Sequence, residues 1–226
     1  MKHISTQQLK TMKDRYRAHL INSLSGFKSA NLIGSVNQHG QTNLAMFSSV
    51  VHLGASPALV GFITRPNSVT RHTLENIKQT KQYTINQVSE SFFTAAHQTS
   101  ARYTREQNEF DATGLTASYH KDYPAPFVQQ SKLRYALTLR EIMPIPLNDT
   151  QLVIGEITDI FCDERVIGRD GYIDINSLNT VSISGLDSYH SNQRLSRLSY
   201  AKTDTLPVEI DVNGNPISDE FFKYDI

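Results

Sequence analysis

Residues 5–23 carry Leu9, Met12, Tyr16 and Leu20 at helical spacing, with Ser5 and Gln8 placed as a capping box, and they predict a helix ended by Gly26. Beyond it the hydrophobic period shortens. Asn31 to Val36 reads as a strand, Asn37 to Gly40 has turn chemistry, and Leu44 to Leu53 reads as a second strand, so the two predict a hairpin. Ala58 to Thr64 is apolar on both faces and predicts a buried strand. A polar loop, Arg65 to Thr70, leads into a helix over Arg71 to Thr80 with Leu74 and Ile77 inward. Tyr83 to Val88 then predicts a strand, and Ser91 to Gln98 a short helix capped by Ser91. Ala101 to Gln130 has no clear period and reads as a loop, a length that usually marks function or an interface. Lys132 to Ile142 and Gln151 to Cys162 predict a long hairpin, Gly168 to Gly171 a turn, and Ile175 to Val181 a short mixed segment. Strands in succession with a few short helices, and no alternating strand–helix pattern, give a mainly β chain with added helices and favour an antiparallel barrel.

Charge sharpens this picture. The chain has 226 residues, with 22 Lys plus Arg against 22 Asp plus Glu. Net neutrality argues against a general nucleic-acid binder, which needs a basic excess, and suits self-association. The neutrality is a sum of opposites: residues 203–226 hold six acids and one base, and the preceding 202 residues hold 21 basic and 16 acidic groups. The chain divides accordingly into a domain over 1–202 and an acidic tail over 203–226. The tail is expected to fold over the basic 188–202 stretch, on its own subunit or its partner's. No apolar run approaches the ~18 residues a membrane helix needs, and the first twenty residues lack a signal-peptide core, so a cytoplasmic protein is expected. Cys162 is the single cysteine, which rules out an internal disulfide. Mean hydropathy is −0.38, but ten Phe and ten Tyr supply a core.

The eleven glycines form neither a dinucleotide fingerprint nor a P-loop. His72 and Glu75 stand one helical turn apart, but a solvated helix face is the simpler reading and no metal is expected. Two stretches are too polar for their surroundings. In the first, Asn43, Ser48 and Ser49 fall on or beside a strand, and Arg65, Asn67, Ser68, Arg71, His72 and Thr73 run into a helix N-terminus. Free N–H groups, a positive dipole end and neighbouring Arg, Ser and Thr make a phosphate cradle. The alternative is that Ser68 or Thr70 caps the helix and the arginines are solvated. The second stretch, 188–202, packs His190, Arg194, Arg197, Lys202 and two tyrosines together, and a cationic surface helix is its plainer reading.

In order, these pieces resemble the flavin reductase-like, FMN-binding split-barrel family. The resemblance is carried by Gly40 to Asn43 before Ala45 to Ser49, Ser56 to Val60, Arg71 to Ile77, Tyr83 to Asn86, Asn108 to Phe110 with Gly114 and Leu115, Leu152 to Glu156, Asp170 to Asp174, and Gly185 to His190. It covers about Arg15 to Lys202. It implies an antiparallel split β-barrel with bound FMN, and a homodimer with FMN at the interface. The strand of Asn43, Ser48 and Ser49 would lie along the isoalloxazine, and Arg65 to Thr73 would hold the ribityl phosphate. It also implies His190 near the flavin and the pyridine nucleotide. The Phe110 region and the long loop before Lys132 would then help to cover the partner's site. Arg194 or Arg197 would meet a dinucleotide phosphate. The expected activity is hydride transfer from NADH or NADPH to flavin, with small-molecule substrates and neither nucleic acid nor membrane as partner. An FMN-binding protein without turnover, or a split barrel using pyridoxal phosphate or haem, is the alternative.

Overall fold

The computed structural model describes residues 1–66, 72–121 and 123–217. The expected first helix is broken in two, α1 (Thr6–Thr11) and α2 (Asp14–Ser23). The capping box forms as expected, with the Ser5 N–H donating to Gln8 Oε1 at 2.8 Å and the Gln8 N–H donating to Ser5 Oγ at 3.3 Å. Met12, however, is extended (φ −68, ψ 144), which stops α1 at Thr11. No residue of either helix is buried, so neither is held by a core of this chain.

The strands follow as β1 (Lys28–Ser29), β2 (Asn31–Val36), β3 (Thr42–Phe47), β4 (Val51–Ala55) and β5 (Ala58–Thr64). Then come α3 (His72–Thr80), β6 (Gln82–Gln87), α4 (Phe93–Gln98), α5 (Glu109–Thr113), β7 (Ala117–Ser118), β8 (Phe127–Val128), β9 (Arg134–Ile145) and β10 (Thr150–Phe161). The last are β11 (Val181–Ser184), β12 (Ser188–Ser191), β13 (Arg197–Leu198) and β14 (Glu209–Ile210). Seven strands make one antiparallel sheet in the order β3-β2-β6-β9-β10-β5-β4, while β1, β11 and β12 form a second sheet. The edge strands β3 and β4 do not pair, so the barrel is split along that seam.

Alternation along β2 explains why one strand serves two cores. Ile33 points into a cluster with Val60, Phe62, Leu74, Ile77, Tyr83, Ile85, Leu137 and Val153. Its neighbour Leu32 points the other way, to Leu44, Val88, Phe92, Phe110, Val128, Val181 and Ile183. Each such side chain, fully buried, stabilises the fold by roughly 1.5–3 kcal/mol. The first core binds α3 to the sheet through Leu74 and Ile77. The second fastens the β11–β12 hairpin and α5 to the outer side of β2 and β3.

Several expectations are corrected. The run Leu44 to Leu53 is two strands, because β3 pairs with β2 whereas β4 pairs with β5 at the opposite end of the sheet. Residues 48–50 therefore carry the chain across the open seam. The segment 101–130 contains α5 and the β7–β8 pair, held by Asn86, whose amide oxygen accepts from the Val128 N–H at 2.9 Å. Ser91 does not cap α4; Phe92 stands at that position without a side-chain cap, and Ser91 Oγ pairs with Ser89 Oγ at 3.0 Å. The mixed segment Ile175 to Val181 becomes strand only at Val181. The stretch 188–202 holds two short strands, β12 and β13, and no helix.

The described part of the acidic tail folds over that stretch on its own subunit. β14 pairs with β13, matching Leu198 to Glu209. Arg197 ties the hairpin to the preceding loop. Its guanidinium donates to the carbonyls of Asp211 (3.0 Å) and Val212 (2.9 Å) and to Asp170 Oδ2 (2.7 Å), and it lies 4.0 Å from the Tyr172 ring centroid. The approach is close enough that a Cβ on Gly168 would stand 2.1 Å from the Val212 carbonyl oxygen. Arg197→Met keeps the stem and loses these charged contacts. Cleavage within 199–217 under limited proteolysis is expected to become at least about tenfold faster. An unchanged cleavage rate would show that the tail is held by other means.

Candidate functional site

The start of α3 lies against β2 and β3, and polar side chains from β2, β3, α3, α5 and the segment before α5 converge there. Asn43 on β3 is buried, and its carboxamide lies 2.8 Å from Thr73 Oγ1, on the second residue of α3. Asn76 Nδ2, one turn on, donates to Ser35 Oγ on β2 at 3.2 Å. Arg105, from the segment before α5, donates to Asn76 Oδ1 at 3.4 Å and pairs with Glu75. Glu109, at the first position of α5, is only 6% exposed. One of its oxygens accepts the Leu44 N–H at 3.1 Å. Asn43, His72, Asn76, Arg105 and Glu109 line a cleft of about 10 Å³, room for roughly one water.

Burial and charge move two groups here. Desolvation, assisted by Arg105, lowers the His72 pKa against the opposing pull of Glu75 and Glu106, which favours neutral imidazole. Burial raises the Glu109 pKa, opposed by its hydrogen bond from the Leu44 N–H.

The other expected residues divide clearly. Ser49 lies on the seam crossing, where its hydroxyl donates to the Ile63 carbonyl and accepts the Ile63 N–H, both at 3.1 Å. It therefore stitches the crossing to β5. Ser48 stands beside it, half-buried. Arg65 follows β5, exposed and, among the described residues, without a carboxylate partner. Asn67, Ser68 and Arg71 lie outside the described residues. His72 and Thr73 open α3, where the unpaired N–H groups and the dipole present positive potential.

His190 sits elsewhere in the chain, on β12. Its Nε2 lies 2.8 Å from Ser184 Oγ and 3.3 Å from Ser188 Oγ, and its ring meets the edge of Phe27 at 4.8 Å. No hydrogen bond or ring contact among the described residues joins it to the start of α3. Arg194 donates to Asp174 Oδ1 at 2.8 Å, and Arg197 is taken up by Asp170 and the tail, so both guanidiniums already have carboxylate partners. Sequence reasoning picked out Asn108, Glu109 and Phe110 as a motif but gave Glu109 no role. Asn76 fell within the Arg71–Ile77 motif without a role, and Arg105 carried no signal, because their meeting depends on a contact across about thirty residues.

An antiparallel split barrel with an anion-receptive helix start beside its open seam is a scaffold suited to a phosphate-bearing ligand. Comparison with known proteins agrees. Residues 24–176 match the flavin reductase like domain. A split-barrel protein from Shewanella frigidimarina NCIMB 400, ascribed to the flavin reductases, is 51% identical and superposes with a TM-score of 0.86 over 89% of this chain and 100% of its own. Nitrilotriacetate monooxygenase component B from Bacillus cereus shares the fold at 19% identity, with a TM-score of 0.77 over 88% of this chain and 98% of its own. The FMN-binding protein of Thermus thermophilus shares it at 16% identity, with a TM-score of 0.62 over 73% and 86% respectively. The chain belongs to the flavin reductase-like domain family, and that membership supports a flavin-related oxidoreductase role. No helix among the described residues is long and apolar enough to cross a membrane.

Proposed function

We propose that this chain is an FMN-dependent oxidoreductase that passes a hydride from NADH or NADPH to flavin. In this reading it works in the cytoplasm as a homodimer with FMN at the subunit interface. The observation that carries the cofactor assignment is the start of α3, where the helix dipole and the Thr73 hydroxyl offer donors to an anion; Arg65, exposed at the end of β5 and without a carboxylate partner among the described residues, is the cation proposed to join them. That donor set fits a ribityl phosphate, and Asn67, Ser68 and Arg71 would complete it. When bound, the flavin ring supplies the hydride chemistry itself. The chain's part is then to bind, orient and tune. Ser49, fixed to Ile63, holds the seam crossing rigid, so that Asn43, Ser48 and nearby backbone groups would face the polar edge of the ring.

His190 belongs to this site only if a second subunit brings β12 over it, which is the reason for proposing the dimer. Arg194 is held by Asp174, and Arg197 by Asp170 and the tail, so in this reading each would have to leave an aspartate to meet a dinucleotide phosphate.

The test is anaerobic titration of the FMN-loaded protein with NADH and with NADPH, followed at the visible flavin band. The wild type is expected to bleach with at least one of them, and His190→Ala to retain FMN but be reduced about tenfold more slowly, the cost of a poorly oriented donor. A coloured wild type that neither nucleotide bleaches would leave a flavin-binding protein and remove the reductase. Unchanged kinetics in His190→Ala would remove that residue from the site.

A further inference from the structure

Asn43 stands between two partners that impose opposite demands on its amide. One end of the carboxamide lies 2.8 Å from Thr73 Oγ1 and 3.2 Å from the Leu44 nitrogen, whose N–H an Asn43 oxygen there would share with Glu109 Oε2, and the other end lies 3.3 Å from Glu109 Oε1. All three residues are buried. An ionised Glu109 only accepts, so it requires the Asn43 nitrogen. The Asn43 oxygen then faces Thr73, and the Thr73 hydroxyl spends its proton on Asn43. A protonated Glu109 donates to the Asn43 oxygen. The Asn43 nitrogen then donates to Thr73 Oγ1, which leaves the Thr73 proton without an acceptor among the described residues. The Leu44 N–H remains satisfied by Glu109 Oε2 in both states.

We infer that Glu109, Asn43 and Thr73 form a proton-linked relay in which Glu109, a positioning residue, sets whether Thr73 donates toward a phosphate bound at the start of α3. The inference rests on the FMN reading above. Burial already favours the acid form of Glu109 relative to an exposed carboxylate, which moves the switch up in pH. The sign follows by linkage. The protonated relay binds the phosphate more tightly, so phosphate binding raises the Glu109 pKa further and takes up a proton. Affinity therefore falls as pH rises through that pKa and levels off above it.

Other titrating groups surround the relay. His72 and Glu75 lie on α3, Arg105 and Glu106 on the preceding segment, and Asp111 on α5 itself. His97 lies on α4, where its Nδ1 bonds the Tyr189 hydroxyl at 3.0 Å. β3 carries no titratable residue. All of these groups, together with the phosphate's own ionisation, are shared by wild type and a Glu109 variant, so the difference between the two isolates the relay.

The experiment measures FMN and riboflavin dissociation constants across mildly acidic to neutral pH in wild type, Glu109→Gln and Thr73→Val. In Glu109→Gln the new carboxamide would donate to the Asn43 oxygen and accept from the Leu44 N–H, fixing the pattern of the acid form. The wild type is expected to lose about tenfold of its preference for FMN over riboflavin as pH rises, relative to Glu109→Gln. Thr73→Val is expected to lose that pH-linked component at the weaker level, and it provides the comparison if Glu109→Gln does not fold. Calorimetry in buffers of different ionisation enthalpy is expected to show proton uptake on FMN binding that is smaller in Glu109→Gln. Parallel pH profiles in all three proteins, with FMN still bound, would overturn the relay and leave the cofactor reading standing. Absence of FMN binding by the wild type would overturn both.

Discussion

Gly34→Ala is expected to destabilise the fold by about 3 kcal/mol or more, a cost in the upper range for overpacking. Gly34 lies mid-strand in β2, between Leu44 on β3 and Thr84 on β6. A Cβ there would stand 2.1 Å from the carbonyl oxygen of Pro126 and 2.6 Å from Thr84 Oγ1. Neither neighbour is the loose end of a flexible side chain. The Pro126 oxygen is backbone, and Thr84 Oγ1 already donates to it at 2.6 Å. Making room means pushing residues 125–128 off the sheet and breaking that hydrogen bond. Ala125, Phe127 and Val128 on this segment are fully or almost fully buried, so the displacement spreads through Val128 into the core that holds Leu32 and Leu44. Urea unfolding of the two proteins checks it. A loss below about 1 kcal/mol would mean that the segment is not pressed against β2 as described.

Arg65→Ala is expected to weaken FMN by about tenfold or more and to leave riboflavin nearly untouched. A hydrogen bond between charged partners is worth about 1.5–3 kcal/mol, and only FMN carries the phosphate. Arg105, Arg194 and Arg197 each hold a carboxylate, whereas Arg65 holds none among the described residues and stands exposed at the end of β5. The same result is expected for Arg71→Ala, since Arg71 directly precedes α3 in the sequence. Ligand titrations of wild type and variants with FMN and riboflavin decide it. Equal losses for both ligands would place the arginines away from the phosphate.

What was legible in the sequence follows from how local each signal is. β2 and β5 were readable to the residue, because a buried strand bounded by turn residues advertises itself within seven or eight positions. The break between α1 and α2 was not, since the periodic apolar positions run straight through Met12. The separation of β3 from β4 was invisible for a related reason. Ser48 and Ser49 are a short polar break that strand alternation tolerates, and only pairing with distant partners sends the two halves to opposite edges of the sheet. The basic stretch 188–202 looked helical by charge spacing, yet its arginines serve aspartates at 170 and 174 and the carbonyls of the tail.

At the candidate site, the polar excess from Asn43 to Thr73 was readable because helix-start chemistry is written in consecutive residues. Glu109 and Arg105 reach the same place only through the fold. A single buried Glu in a polar segment looks the same in sequence as a solvated one, and burial is what gives it a role.

The central claim is that the start of α3 recognises the phosphate of FMN. It is tested most directly by measuring the dissociation constants of FMN and riboflavin for the wild-type protein under one set of conditions. FMN is expected to bind at least about tenfold more tightly, since the two ligands differ only in the group this helix start is built to meet. Equal affinity, or no affinity for either, would contradict the account.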